Sequence, residues 1–179
     1  PGMLKIDVKK MGVDVYAGSG HKWLCGPKGT GFLYVRRELQ DMITPVFTHS
    51  GYDSYSASSG TRNAPALLGL GMAVDMHTAL GPEAVEKRCL SLAFRLRERL
   101  RSIPGHRIIS PEDPDLASGM VSIDLEQKRN KDVFETLKNM NIVVKLLPKY
   151  NALRFSTHFF NTEDEVDHLA EALRNILKS

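Results

Sequence analysis

One lysine sits on a glycine-rich turn between two short apolar segments. Val13-Asp14-Val15-Tyr16 leads into Ser19-Gly20-His21-Lys22-Trp23-Leu24-Cys25-Gly26-Pro27-Lys28-Gly29-Thr30, and Gly31-Phe32-Leu33-Tyr34-Val35 follows directly. Glycines on both sides of Lys22 let backbones approach closely, so the side chain is positioned and not merely solvated. Ser19 and His21 place a hydroxyl and an imidazole at the same turn, donors suited to a phosphate. A lysine held in this way, with few charges nearby, suits Schiff-base chemistry on a carbonyl cofactor once it has lost its proton.

The segment Ser19 to Arg36 resembles the cofactor-lysine segment of class V aminotransferases, the fold-type I pyridoxal-phosphate enzymes that include cysteine desulfurases, cysteine C–S lyases and isopenicillin N epimerase. Ser59-Gly60-Thr61-Arg62-Asn63 and Leu153-Arg154-Phe155-Ser156-Thr157-His158 agree with that family in the same order along the chain. The resemblance implies an α/β fold, the C-terminal part of a PLP-dependent transferase, and pyridoxal 5'-phosphate as cofactor. By it, Lys22 forms the Schiff base and is the catalytic residue, while the residues matching Ser19 and His21 hold the cofactor phosphate. The residue matching Thr61 reaches the phosphate of a neighbouring subunit, which implies a homodimer. The residue matching Arg154 binds the α-carboxylate of an amino-acid substrate.

Independently of the resemblance, Arg154 stands between apolar Leu153 and Phe155 in a short strand, where an unpaired guanidinium is costly. A planar fork matched to a carboxylate answers that cost. His158 and His49 have no comparable support and read as loop or packing residues.

The opening Pro1-Gly2-Met3-Leu4 reads as a cut. In the resembling family an Asp-x-Ala-His/Gln element lies just upstream of such a Pro-Gly and supplies the aspartate for the pyridine nitrogen. The chain is therefore expected to be the C-terminal portion of a larger enzyme whose N-terminal part is missing. Residues 1–82 would be a remnant of the large PLP-binding domain and 83–179 a small α+β domain.

Charge excludes some partners. With 24 basic and 21 acidic residues the net charge is +3, and no basic run is long enough for a nucleic-acid or membrane patch. No apolar stretch approaches the roughly 20 residues of a membrane helix, so a cytoplasmic location is the expectation. The two cysteines, Cys25 and Cys89, form neither a disulfide framework nor a metal site.

Periodicity places the remaining elements. Leu4 to Met11 reads as a helical turn ended by Gly12, before strands Val13 to Tyr16 and Phe32 to Val35. Arg37 to Ser59 reads as a long functional loop. Asn63 begins a helix over Ala66 to Ala79, with Leu67, Leu70, Val74 and Leu80 near helical spacing, and Gly81-Pro82 ends it. A helix over Glu83 to Ile103 carries a Leu92, Leu96, Leu100 stripe. Strands follow at Arg107 to Ser110 and Met120 to Asp124, a helix at Lys131 to Asn139, and strands at Ile142 to Leu146 and Ala152 to Ser156. Thr162 and Glu165 have the spacing of a capping box for a last helix burying Val166, Leu169, Leu173 and Ile176.

In desulfurases of the resembling family the persulfide cysteine lies shortly before the arginine strand. Here that stretch, Lys145 to Asn151, has no cysteine. Sulfur transfer through a protein persulfide is thus disfavoured, and epimerase-like or C–S lyase-like chemistry is favoured, with amino transfer possible. The rival reading is a truncated, non-catalytic fragment or interaction module that binds no cofactor.

Overall fold

The computed structural model describes residues 1–43, 63–125 and 130–178. They fall into two compact units, Pro1–Pro82 and Glu83–Ser179.

In the first unit the stretch expected to be a helical turn closes only over Asp7 to Gly12. The Asp7 carboxylate accepts the Lys9 and Lys10 amides at 3.1 and 3.0 Å, and the Asp7 carbonyl accepts the Met11 amide at 2.9 Å. A side chain that competes for backbone donors favours a turn over a helix. Strand β1 (Val15–Ser19) pairs antiparallel with β2 (Gly31–Val35), from Val15 opposite Val35 to Ser19 opposite Gly31. β1 begins two residues later than expected, because Asp14 is engaged at the ladder's end. Its carbonyl accepts the Arg36 amide at 2.8 Å and its carboxylate meets the Arg36 guanidinium at 3.0 Å. A 3₁₀ segment, Arg37–Met42, follows β2 and takes up the start of what reads in the sequence as loop.

Helix α1 (Ala64–Leu80) is capped by Asn63, whose side chain accepts the Ala66 amide at 3.1 Å. Gly81, at φ +82°, ends it by donating its amide to the His77 and Thr78 carbonyls. Its buried face differs from the expected one: Ala73 and His77 are buried, whereas Leu67, Val74 and Leu80 are exposed. Leu68 and Met72 are 71% and 72% exposed, so this helix is apolar well beyond the face it buries. The core is thin: among the described residues of this unit, Leu24, Val35 and Ala73 are the buried hydrophobic side chains.

The second unit has α2 (Pro82–Arg101), β3 (Arg107–Ile108), β4 (Met120–Asp124), α3 (Asn130–Asn139), β5 (Lys145–Leu147), β6 (Ala152–Ser156) and α4 (Glu163–Lys178). Its four strands form one antiparallel sheet in the order β3-β4-β6-β5. Residues of one face, Val121, Ile123, Leu153 and Phe155, pack with Leu92, Leu96 and Leu100 of α2, Val133 and Leu137 of α3, and Val166 and Leu173 of α4. Each such leucine contributes about 1.5–3 kcal/mol by leaving water. This continuous apolar cluster holds the sheet that carries Arg154.

β5 starts later than periodicity suggests. Asn141 adopts φ +59° and the Ile142 amide donates to the Leu137 carbonyl at 2.9 Å, a helix-ending arrangement that consumes the first residues after α3. β3 is shorter than expected because Ser110 pairs through its side chain: the Ser122 amide donates to Ser110 Oγ at 2.6 Å. The capping box of α4 forms, with the Thr162 amide on Glu165 Oε2 at 2.9 Å and the Glu165 amide on Thr162 Oγ1 at 3.1 Å.

Candidate active site

The β1–β2 ladder continues for one more bond, from the Gly20 amide to the Thr30 carbonyl at 2.9 Å, and the chain between them folds back on itself. The Gly26 amide donates to the Gly20 carbonyl at 2.8 Å, and Thr30 Oγ1 donates to the Pro27 carbonyl at 2.6 Å. Inside that turn the Cys25 amide donates to the Lys22 carbonyl at 3.0 Å, with Cys25 at φ +59°.

Space explains the glycines. A Cβ at Gly20 would lie 2.4 Å from Thr30 Oγ1 and 2.7 Å from Leu70 Cδ1, and one at Gly26 would lie 2.9 Å from the Gly20 carbonyl oxygen. No side chain fits at those distances without moving the turn. Helix α1 braces it from the side: Gly69 approaches Pro27 so closely that a Cβ would sit 2.7 Å from Pro27 Cγ, and Leu70 fills the space beside Gly20 and Gly26.

His77, one helical turn beyond Ala73, is buried and donates from its imidazole to the Trp23 backbone. Burial lowers its pKa, the Trp23 bond opposes that shift, and the chain's amino terminus adds to it. Sequence reading did not single out His77. The signal was present, since Leu70, Ala73 and His77 are spaced i, i+3, i+7, but Leu67, Val74 and Leu80 compete for the same period.

The turn thus presents Lys22 and His21, both exposed, and Ser19, half-buried, on a rigid base. None of the three side chains has a hydrogen bond or ion pair to another described residue. A free amine and two free donors on a closed, glycine-lined cradle fit an anionic aldehyde cofactor such as pyridoxal phosphate. Thr61 and His49 lie outside the described residues, so Thr61 is not brought to this turn by any observation.

Cys25 is not an activated nucleophile. Its thiol reaches the Trp23 carbonyl at 3.7 Å, and desolvation raises its pKa, the opposite of what thiolate chemistry requires. Cys89 is fully buried and burial pushes its thiol up to about 11.

Arg154 lies on β6 on the face opposite the core cluster, directly across from Ser122 of β4 and Lys145 of β5. Its Nε is buried without a hydrogen-bond partner. A buried guanidinium nitrogen with a free donor can take an anion as its partner. His158 stacks on Phe160 with ring centres 4.2 Å apart and accepts the Phe159 amide on Nδ1 at 3.0 Å, a packing role. Among the described residues no group could hold a metal ion, and no helix is long and apolar enough to cross a membrane.

The family described as aminotransferase class V matches residues 2–169. Isopenicillin N epimerase of Streptomyces clavuligerus is 30% identical over 198 residues, covering 97% of this chain and 50% of that protein. The apo structure of a cysteine desulfurase from Thermococcus onnurineus NA1 superposes with a TM-score of 0.87 at 26% identity, over 99% of this chain and 50% of that one. A C-DES mutant with glycine covalently linked to its PLP cofactor has a TM-score of 0.87 at 22% identity, over 97% of this chain and 49% of that one, a likeness of fold. The chain spans about half the length of the curated relatives it matches.

Proposed function

The chain belongs to the class V aminotransferase family, and from that premise we propose that it is the C-terminal portion of a pyridoxal-phosphate enzyme acting on an amino acid. Pyridoxal 5'-phosphate is the cofactor of this family; when bound it supplies the electron sink that makes bonds at an amino acid's Cα labile. The observation that carries the reading is the braced turn with Ser19, His21 and Lys22 disengaged.

In this proposal Ser19 and His21 would hold the cofactor phosphate by hydrogen bonds, and the Lys22 amine would hold the cofactor at its carbonyl group. Lys22 then takes and returns the proton at the substrate Cα as a general base and acid. Arg154 binds and orients the α-carboxylate, and Thr61 reaches the phosphate of a neighbouring subunit in a homodimer. Residues 1–82 would be part of the large domain and 83–179 the small domain. The thin core of the first unit supports a role as part of a longer whole, since a unit with so few buried side chains stabilises poorly alone.

Epimerase-like or C–S lyase-like chemistry is favoured within the family, with amino transfer the remaining branch. Lys145 to Asn151 has no cysteine, Cys25 closes the lysine turn and Cys89 is sealed in the core. The alternative, a fragment that binds no cofactor, draws on the same thin core. A preparation reconstituted with pyridoxal phosphate decides between them. A yellow protein that bleaches with borohydride, with the reduced cofactor mapped to Lys22, supports the enzyme reading, and a colourless one removes it for this chain.

A further inference from the structure

Two cations face each other on the sheet face opposite the second unit's apolar cluster. Arg154 and Lys145 are directly paired across β6 and β5, and Ser122 stands opposite Arg154 on β4. Directly opposed residues of antiparallel strands bring their Cβ atoms within about 4.5–5.5 Å, and like charges in that position destabilise a sheet. Among the described residues neither cation has a carboxylate partner. Asp124, on the same face two residues along β4 from Ser122, is engaged by Arg107 at 3.4 Å. Arg154 Nε is in addition buried and unsatisfied.

One α-carboxylate neutralises one of these charges and leaves the other. We propose that Lys145 binds a second carboxylate, so that the substrate is an amino acid whose side chain itself carries a carboxylate. This rests on the reading of Arg154 as the α-carboxylate site. Lys145 is exposed and mobile enough at its four-carbon stem to meet a second anion near the first, while Arg154 is held by its flanking buried residues, Leu153 and Phe155. The row therefore orders its ligand: the fixed fork selects one carboxylate and the flexible ammonium the other.

Propionate, succinate and inorganic phosphate, titrated at constant ionic strength into the ¹⁵N-labelled full chain and followed at the amides of Ser122, Lys145 and Arg154, test the proposal. Succinate is expected to bind about fivefold more tightly than propionate, the scale of one exposed ion pair and above the roughly twofold that two equivalent ends give statistically. Lys145→Met removes that difference while propionate binding stays, and Lys145→Arg restores it. An unchanged succinate preference in Lys145→Met, no preference in the wild-type chain, or phosphate binding as tightly as succinate would overturn the proposal. Arg154→Ala is expected to weaken both carboxylates. If it weakens neither, the reading of Arg154 fails, separately from that of Lys145.

Discussion

The Cys25 amide donates to the carbonyl of Lys22 at 3.0 Å, and Cys25 reaches it only by taking a left-handed backbone, φ +59°. Cys25 is thus a structural piece of the turn that carries Lys22. Its place is set by the backbone and not by sulfur chemistry.

Cys25→Gly is expected to stabilise the chain by a net ~0.5 kcal/mol, the left-handed strain relieved less the glycine's greater entropy in the unfolded state. Cys25→Val should destabilise, because a branched Cβ is disfavoured at that φ. Chemical denaturation of the two variants checks the sign of each.

Lys22→Ala is expected to abolish turnover of the complete enzyme while leaving the fold intact, since the exposed side chain has no hydrogen bond or ion pair with a described residue. Borohydride reduction and peptide mapping of the wild-type protein should find the pyridoxyl group on Lys22. Finding it on Lys28, which shares the turn, would reassign the site.

Arg154→Ala is expected to leave the cofactor spectrum unchanged and to weaken amino-acid binding by about 2–5 kcal/mol, the range for removing one partner of a buried charge pair. Titration of the cofactor spectrum with substrate measures it, and equal affinity in variant and wild type would count against the assignment.

Cys89 has its thiol pushed up to about 11 by burial. The folded state therefore favours the protonated thiol, so this contribution to stability is full below the thiol's ordinary pKa and is lost as pH rises from there towards 11. Iodoacetamide near pH 8 should modify Cys25 in the folded chain and Cys89 only after unfolding. Cys89→Ala should flatten the alkaline fall in stability.

Asp167 accepts both Arg95, at 2.9 and 2.7 Å, and Arg99, at 2.9 and 2.8 Å. The Arg95 bonds, then those of Arg99, hold its carboxyl well below the usual carboxylate range. A depressed folded pKa contributes stability above the ordinary value, near 4, and that contribution is lost as pH falls below it. Asp167→Asn is expected to lower stability at neutral pH and flatten the acid limb of a melting-temperature profile.

The elements legible in the sequence were those fixed by local signals. Met120–Asp124 and Ala152–Ser156 alternate cleanly and occur as read, and Thr162 with Glu165 announced the start of the last helix. The lysine turn was legible because glycine at Gly20 and Gly26 is a steric demand that leaves few other residues. Other features depend on contacts distant in sequence. The start of β1 follows from the Asp14–Arg36 pair, and the buried face of α1 from where Gly20 and Trp23 lie. The pairing of Lys145 with Arg154 is a matter of strand register, which neither segment encodes alone.

Helix α1 also sets how the chain behaves as a material. Leu67, Leu68, Met72, Val74, Met76 and Leu80 line its water-facing surface, and a net charge of +3 offers little colloidal repulsion against it. Concentrated stocks of the chain will scatter light, clear with mild detergent and salt out early with sulfate, well before any loss of helical signal.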